Sequence, residues 1–256
     1  MWIALLLSLF AFAGVAQDES PADPAVDALL EQMRLAGDGL RTLESRVEFE
    51  EYDFNFDANP IRPGRVWLRR DGEGETTFRV LLFGSKDGPD GAFRPGKIEY
   101  RLKGDELVDR NYVSKTQVTR KLPPEQAGRD LLKLGEGPFP LPIGQPVAEV
   151  RRQFTVSQID PDQPDADALS APAMEGAKRL RLTPRAGTPL AEDFSQVEID
   201  VDPATGLPMQ VATMDAGGQT LRLVRLYDPS VNGDVEDADF ELEDIDLSDW
   251  NVSVER

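Results

Sequence analysis

The sequence predicts an α+β fold built on one large antiparallel sheet with a few short helices. Segments of alternating apolar and polar residues, separated by short turns such as PATG and AGG, recur through residues 177–227. Helical spacing of apolar residues is confined to three short segments. About 240 residues follow the apolar N-terminus, which is enough for one well-buried core. We therefore expect a single domain over residues 17–256.

Residues 1–16, MWIALLLSLFAFAGVA, predict a secretory signal peptide. The run is apolar and ends with Gly14 and Ala16 at positions −3 and −1 of a cleavage site. The alternative is a retained membrane anchor, but roughly 15 apolar residues fall short of the roughly 20 that a span needs, and no basic flank follows. The mature protein is therefore expected to be soluble and outside the cytoplasm.

The composition excludes several classes of function. The 47 acidic and 28 basic residues give a formal net charge of −19, so binding to nucleic acid, which needs a basic field, is not expected. The absence of Cys removes disulfides, thiolate chemistry and a lipobox, and the absence of His removes the usual general base and zinc ligand. No catalytic residue, metal site or cofactor is predicted. An enzyme of the two-carboxylate type gains no support from the abundance of acids alone.

The first elements along the chain are a helix and the strands that follow it. Over residues 24–35, Asp23 suits the N-cap and Pro24 the first helical position, and apolar residues recur at i, i+3, i+4 and i+7. Residues 46–56, RVEFEEYDFNF, predict a strand with a one-residue slip that indicates a bulge. The strands GRVWLRR, TFRVLLF, KIEYRLKGDELVDRNYV (a hairpin turning at 103–105) and TQVTRKL follow.

The remaining elements are two helices, a loop and five strands. Helical spacing occurs at 123–137 and again at 145–154. Residues 157–176, rich in Pro, Asp and Ala, predict a loop. The later strands are AKRLRLTPR, FSQVEIDVD, LPMQVATMD, QTLRLVRLY and WNVSV. Residues 228–255 contain no Lys or Arg and are dense in acid; this segment is either a solvated terminal loop or a contact surface for basic patches on a partner.

Four stretches carry a resemblance to a known family. They are ALLEQMRLAGDGLRTLESRVEFEEY, GRVWLRR, the run from LRLTPR to DAGGQTLRLVRL, and a closing pattern of Phe240, Trp250 and Val252. In this order they resemble the LolA family of periplasmic outer-membrane lipoprotein carriers, whose Gly-x-Leu-Trp-Val-Lys-Arg strand is similar to GRVWLRR. The resemblance covers residues 25–256. It departs from the family at Asp71, where the family has Pro, and at 84–96 and 157–176, which look like insertions.

The resemblance implies an unclosed half β-barrel, covered by a lid of about three short helices, that shields the acyl chains of lipoproteins crossing the periplasm. Each buried methylene is worth about 0.8 kcal/mol, so acyl chains do not cross water unshielded. The implied partners are acylated lipoproteins, an inner-membrane ABC-type lipoprotein-releasing complex and an outer-membrane acceptor, and the carrier is expected to be a monomer. The alternative is a periplasmic lipid- or glycolipid-binding or sensing protein of the same fold with a different cargo.

Two arginines are candidates for a residue that latches the lid. Alternation places Arg70 on one face of its strand with Leu68, and Arg69 on the other face with Trp67. In the family such an arginine hydrogen-bonds lid backbone, and we favour Arg70 over Arg69; the alternative for either is an exposed salt bridge. Candidate acyl-binding residues, each of which would serve equally in a packed core, are Leu29, Leu30, Met33, Phe49, Phe54, Phe56, Trp67, Leu131, Leu132, Met209, Leu221 and Leu223.

Overall fold

The structure is a computed structural model that describes residues 23–71, 75–123, 144–160, 163 and 165–255. The α-helices in these residues are α1 (Pro24–Gly39), α2 (Val147–Gln153) and α3 (Leu190–Asp193), and a 3₁₀ helix covers Asp237–Phe240. The strands are β1 (Thr42–Asp53), β2 (Pro60–Arg70), β3 (Thr76–Asp87), β4 (Arg94–Lys103), β5 (Glu106–Asn111), β6 (Thr116–Lys121), β7 (Phe154–Ile159), β8 (Lys178–Pro184), β9 (Phe194–Val201), β10 (Pro208–Asp215), β11 (Thr220–Val231) and β12 (Asn251–Glu255).

All twelve strands belong to one sheet, in the order β12-β6-β5-β4-β3-β2-β1-β11-β10-β9-β8-β7. Neighbouring strands are antiparallel except for β12, which runs parallel to β6. In the described residues the two edge strands, β12 and β7, do not pair with each other. The predicted α+β fold, a large antiparallel sheet forming an unclosed half-barrel with short helices, is confirmed.

Local signals in the sequence account for helix α1. The Asp23 side chain accepts a hydrogen bond from the Ala25 amide at 2.9 Å, and Pro24 occupies the first turn. The helix extends beyond the predicted residue 35 to Gly39, where the Leu40 amide donates to the Gly37 carbonyl. In the described ranges, no helix combines the length and the apolar character that a membrane span requires.

Strand β1 differs from its prediction at both ends. It begins at Thr42 and ends at Asp53, and its irregularity lies between Glu44 and Arg46 rather than at the predicted slip. The Asp53 carboxylate accepts hydrogen bonds from the amides of Asn55 and Phe56, at 2.9 and 3.3 Å, and so turns the chain away from the sheet. The side chains after residue 53 therefore do not alternate across the sheet as the sequence pattern suggests.

Two further differences concern short edge strands. Helix α2 ends at Gln153, and β7 takes the next six residues, which the sequence pattern divides between a helix and a loop. Strand β12, predicted only as a late short strand, returns along the sheet edge to pair with β6. A parallel partner is possible because a long connection, residues 232–250, separates β12 from the end of β11.

We call the sheet face that packs against α1 the inner face and the opposite face the outer face. Val211 of β10 packs in the cluster that contains α1. It pairs with Val224 of β11, which belongs to a second cluster formed mainly by β1–β5. Both clusters therefore lie on the inner face, one on each half of the sheet.

Two extended segments cross the outer face. The first, residues 165–177, is here called the central strap and lies over β8–β11, where Ala171 packs with Ala212 and Leu223. The second, residues 234–249, is called the C-terminal strap and lies over β2–β5, where the Asp239 and Glu243 carbonyls accept hydrogen bonds from strand arginines. The first falls in the predicted loop, and the second in the acidic region.

Candidate functional site

The inner face over β7–β10 is a closed core. Helices α1 and α2 pack directly onto these strands, and the predicted cavity residues Leu29, Leu30 and Met33 are at most 5% exposed within this packing. The buried members of the cluster are Val26, Leu29, Leu30, Met33, Val150, Phe154, Val156, Leu180, Leu182, Val197, Ile199, Val201 and Val211. The structure thus fills this half of the barrel with the protein's own side chains.

The inner face over β1–β5 is equally apolar but lacks such a covering helix in the described part of the chain. Its cluster of buried residues is Leu40, Leu43, Val47, Val66, Leu68, Phe78, Val80, Leu82, Leu102, Leu107, Val224 and Leu226. Apart from Leu40, at the C-terminal end of α1, each of these comes from a strand. Phe49, another predicted cavity residue, packs against this cluster and is partly buried. We call this surface the strand-lined half.

Arg70 lies at the end of β2 and contacts α1. Its Nη1 donates to the Gly37 carbonyl in the last turn of the helix at 2.7 Å. Burial, followed by the charge of Arg41, lowers the pKa of Arg70, and the charge of Asp38 partly offsets this. The guanidinium is thus held by a backbone acceptor of the helix, on the face that alternation predicts.

Arg69 points to the outer face and contacts the C-terminal strap. Its Nη1 lies 2.7 Å from the Asp237 carboxylate, and its guanidinium stacks 4.8 Å from the centroid of the Phe240 ring. Because the Asp237 side chain is 88% exposed, this ion pair contributes little stability. The two adjacent arginines therefore hold two different segments on opposite faces of the sheet.

The remaining predicted site residues are dispersed. Trp67 is buried on the outer face, with the Arg79 guanidinium 5.5 Å from its ring. Leu221 and Leu223 also lie on the outer face, under the central strap, because β11 turns these residues away from α1. Met209 is partly buried in β10. Phe54 and Phe56 are 47% and 80% exposed in the turn after β1, and Leu131 and Leu132 lie outside the described residues.

The outer face carries a layer of ion pairs under its straps. Beneath the central strap, Arg179 makes a bidentate ion pair with Asp200, at 2.5 and 2.8 Å. Both side chains of this pair are buried. Burial alone would lower the pKa of Arg179, but the hydrogen bond and charge of Asp200, with the charge of Glu198, raise it. Asp200 also accepts a hydrogen bond from the Met174 amide of the strap at 2.8 Å, so the ion pair holds the strap in place.

Beneath the C-terminal strap the ion pairs are more exposed. Lys103 contacts Glu241 at 2.6 Å and Lys97 contacts Glu243 at 2.7 Å. Glu99 is the buried exception: burial alone would raise its pKa, but hydrogen bonds from Tyr112 and Arg79 lower it. Acids of the region without Lys or Arg thus pair with basic side chains on the strands. Among the described residues, no group of three or more acids is arranged to hold a metal ion.

Two features of the site were missed by the sequence interpretation. One is the use of the acidic region as a strap over basic strands; basic residues at every second position, as at Arg101 and Lys103, were an available signal. The other is a carboxylate on the strand-lined half, Asp109. It occupies an inward position in the strand ELVDRN, where alternation with Leu107 could have indicated it.

Solved structures align along most of the chain. The crystal structure of MucB matches with a TM-score of 0.50 and 13% identity, covering 87% of this chain and 64% of the MucB chain. Lower-scoring likenesses include the lipoprotein LppX of Mycobacterium tuberculosis (TM-score 0.45, 11% identity, covering 84% of this chain and 99% of LppX) and a LolA superfamily protein from Nitrosomonas europaea (TM-score 0.35, 12% identity, covering 85% and 97%).

The match to MucB shows a shared fold alone, because the two sequences are only 13% identical. The chain spans less than two thirds of the MucB structure that it matches. No protein-family profile and no curated protein sequence matches the chain. Function must therefore be argued from the chain's own residues.

Proposed function

We propose that the protein is a non-catalytic periplasmic carrier that shields the acyl chains of lipoproteins on the strand-lined half and delivers them toward the outer membrane. The observation that supports this proposal is the division of the inner face. Helices fill the half over β7–β10, whereas the apolar half over β1–β5 has no helix packed across it in the described residues. An apolar surface that no described helix covers suits a hydrocarbon ligand.

The energetics of acyl chains set the requirements for such a carrier. Each methylene buried gains about 0.8 kcal/mol, so a chain of about 16 carbons gains on the order of 10 kcal/mol when it leaves water. The strand-lined half supplies Phe78, Leu102 and similar residues for this burial. The carrier must also release its cargo, so its affinity has to remain below that of the receiving membrane.

Arg70 is proposed as the latch that controls access to the strand-lined half. It joins the end of β2, in this half, to the last turn of α1, which packs on the other half. A single charged hydrogen bond to a carbonyl contributes about 1.5–3 kcal/mol and can be broken without unfolding either element. Opening at this contact would separate the helix end from the rim of the sheet.

The proposed location and partners follow from the same carrier role. The predicted signal peptide directs the protein to the periplasm, where it would receive acylated lipoproteins from an inner-membrane ABC-type lipoprotein-releasing complex. An outer-membrane acceptor would take the cargo, and the carrier would act as a monomer. The alternative is a protein of the same fold that binds or senses a free lipid or glycolipid.

The test is lipid binding by the purified, delipidated protein. A triacylated lipopeptide and, separately, a fluorescent fatty acid are titrated into wild type, Arg70→Met and Arg69→Met. We expect saturable lipopeptide binding, faster release from Arg70→Met, and wild-type release from Arg69→Met, the matched control. Binding of the fatty acid alone would favour the alternative cargo. Failure of a folded, lipid-free sample to bind either probe would exclude the carrier function.

A further inference from the structure

One carboxylate interrupts the apolar surface of the strand-lined half. Asp109 on β5 pairs with Tyr100 on β4, and the next inward pair along these strands is Leu107 with Leu102, both buried. Tyr100 packs against the apolar cluster of this half. Asp109 therefore lies among side chains that an acyl chain would contact.

The described residues do not give the Asp109 side chain a hydrogen bond or a salt bridge. Burial raises the pKa of Asp109, and the charge of Arg120 offsets this only in part. Arg120 is itself engaged, since its Nε donates to the Glu255 carboxylate at 2.7 Å. The guanidinium of Arg62 approaches from β2 but lies over the Phe49 ring, 5.9 Å from the centroid. The carboxylate is thus desolvated, and no described residue is its direct partner.

The buried acids on the outer face are treated differently. Glu99 accepts hydrogen bonds from Tyr112, at 2.5 Å, and from Arg79. Asp200 accepts a bidentate pair from Arg179. The fold therefore supplies donors to its fully buried carboxylates, and Asp109 differs from them by facing the proposed binding surface with its acceptor oxygens available.

We propose that Asp109, with Tyr100 beside it, anchors the polar end of the cargo by accepting a hydrogen bond from a hydroxyl or amide N–H group. This inference rests on the proposed function and specifies the cargo class: a lipid whose acyl chains meet a hydrogen-bond donor, rather than a bare hydrocarbon chain. An acyl chain has no donor, so a purely hydrocarbon surface would gain nothing from a carboxylate. A donor in the ligand would supply the partner that the described residues do not.

Two fluorescent probes that differ only in the donor test this assignment. One is a diacylglycerol with a free hydroxyl, and the other is its methyl ether with the same acyl chains. We expect wild type to bind the hydroxyl probe about tenfold more tightly than the ether, because the ether cannot donate a hydrogen bond to the charged carboxylate. Asp109→Leu should lose this preference while still binding the ether. Asp105→Leu, an exposed acid in the turn of the same hairpin, should retain it.

Measuring the stability of the lipid-free variants distinguishes a loss of binding from misfolding. Because the Asp109 carboxylate is partly desolvated, Asp109→Leu should unfold at the wild-type temperature or above, so its lost preference would not reflect unfolding. Asp109→Asn, which keeps the size but not the charge, should weaken the preference less. Equal binding of both probes by wild type would overturn the inference and leave the carrier function standing. If wild type binds neither probe, the proposed function itself fails.

Discussion

The two halves of the inner face have similar strand chemistry and different coverings. On β7–β10, α1 and α2 contribute side chains to the same cluster as the strands. On β1–β5, leucines, valines and a phenylalanine that are equally buried form the other cluster. Among the described residues, Leu40, beside α1, is its only buried member that does not come from a strand. Alternation predicts which residues face inward, but it does not predict whether protein or ligand lies against them. The same pattern therefore serves a core in one half and a candidate binding surface in the other.

The two straps on the outer face differ in how strongly ion pairs hold them. The central strap, over the filled half, is held by the Arg179–Asp200 pair, in which both side chains are at most 3% exposed. The C-terminal strap, over the strand-lined half, is held by exposed pairs such as Lys103–Glu241 and by hydrogen bonds from Arg79 and Arg110 to its carbonyls, without a fully buried ion pair to its own side chains among the described residues. Buried pairs are costly to break, whereas exposed pairs contribute little. The half over β7–β10 thus has packed helices on its inner face and a strap held by a buried ion pair on its outer face. The strand-lined half has a strap whose ion pairs are more exposed.

The largest expected effect on the free energy of unfolding is in the half over β7–β10. Arg179→Met should lower the free energy of unfolding by about 3–5 kcal/mol, because it leaves the buried carboxylate of Asp200 without its cation and leaves Glu198 with Arg181 alone. Lys103→Met, the counterpart in the other half, should cost less than about 1 kcal/mol. Urea denaturation of both variants measures the difference. Equal losses of unfolding free energy in the two variants would show that the two straps are held equally strongly.

Matched core truncations compare the two inner clusters. Leu180 and Leu102 are both fully buried, one in each half. Leu180→Ala should cost about 2–5 kcal/mol, the usual range for a leucine in a packed core. Leu102→Ala should cost distinctly less in the lipid-free protein and should weaken lipid binding. Chemical denaturation with and without bound lipid tests both statements, and a larger cost for Leu102→Ala would show that the strand-lined half is packed core.

The adjacent arginines provide a smaller contrast. Arg70→Met should cost about 1.5–3 kcal/mol, since the Gly37 carbonyl loses a charged donor. Arg69→Met removes an exposed ion pair and should cost about 0.5 kcal/mol. Hydrogen exchange at the end of α1 should rise in the first variant and remain at the wild-type level in the second. The reverse ranking would place the latch on the outer face.

The smallest effect concerns the pH dependence of Asp109. Because its pKa is raised in the folded protein, its charged form is disfavoured by folding. Below the ordinary carboxyl pKa of about 4 the side chain is neutral in both states and costs nothing. As pH rises toward and through the raised pKa, the wild type should lose stability relative to Asp109→Asn. A stability difference that is independent of pH between 3 and 8 would contradict the partial burial of this carboxylate.

Most of the sheet was predictable from the sequence. Alternation and turn residues located the strands, and the N-cap Asp23 with Pro24 located α1. The placement of Arg70 and Arg69 on opposite faces also followed from alternation. These features are local, so short stretches of sequence determine them.

The errors arise where distant segments meet. Phe54 and Phe56 were given to a strand because the sequence alternates, but the Asp53 side chain ends the strand before them. Leu221 and Leu223 were assigned to the cavity because apolar residues are expected inside, yet the central strap covers them on the outer face. The pairing of acidic straps with basic strands depends on contacts more than 100 residues apart in the case of the C-terminal strap.

Photo-crosslinking of a lipopeptide that carries a diazirine in its acyl chain shows directly which strands contact the acyl chain. The probe is bound to the purified, delipidated protein, irradiated, and the labelled peptides are identified by mass spectrometry. We expect saturable labelling of strands β2 to β4 in the strand-lined half, and unlabelled lipopeptide should compete with it. Labelling confined to α1 and β7–β10, or no saturable labelling of the folded protein, would contradict this expectation.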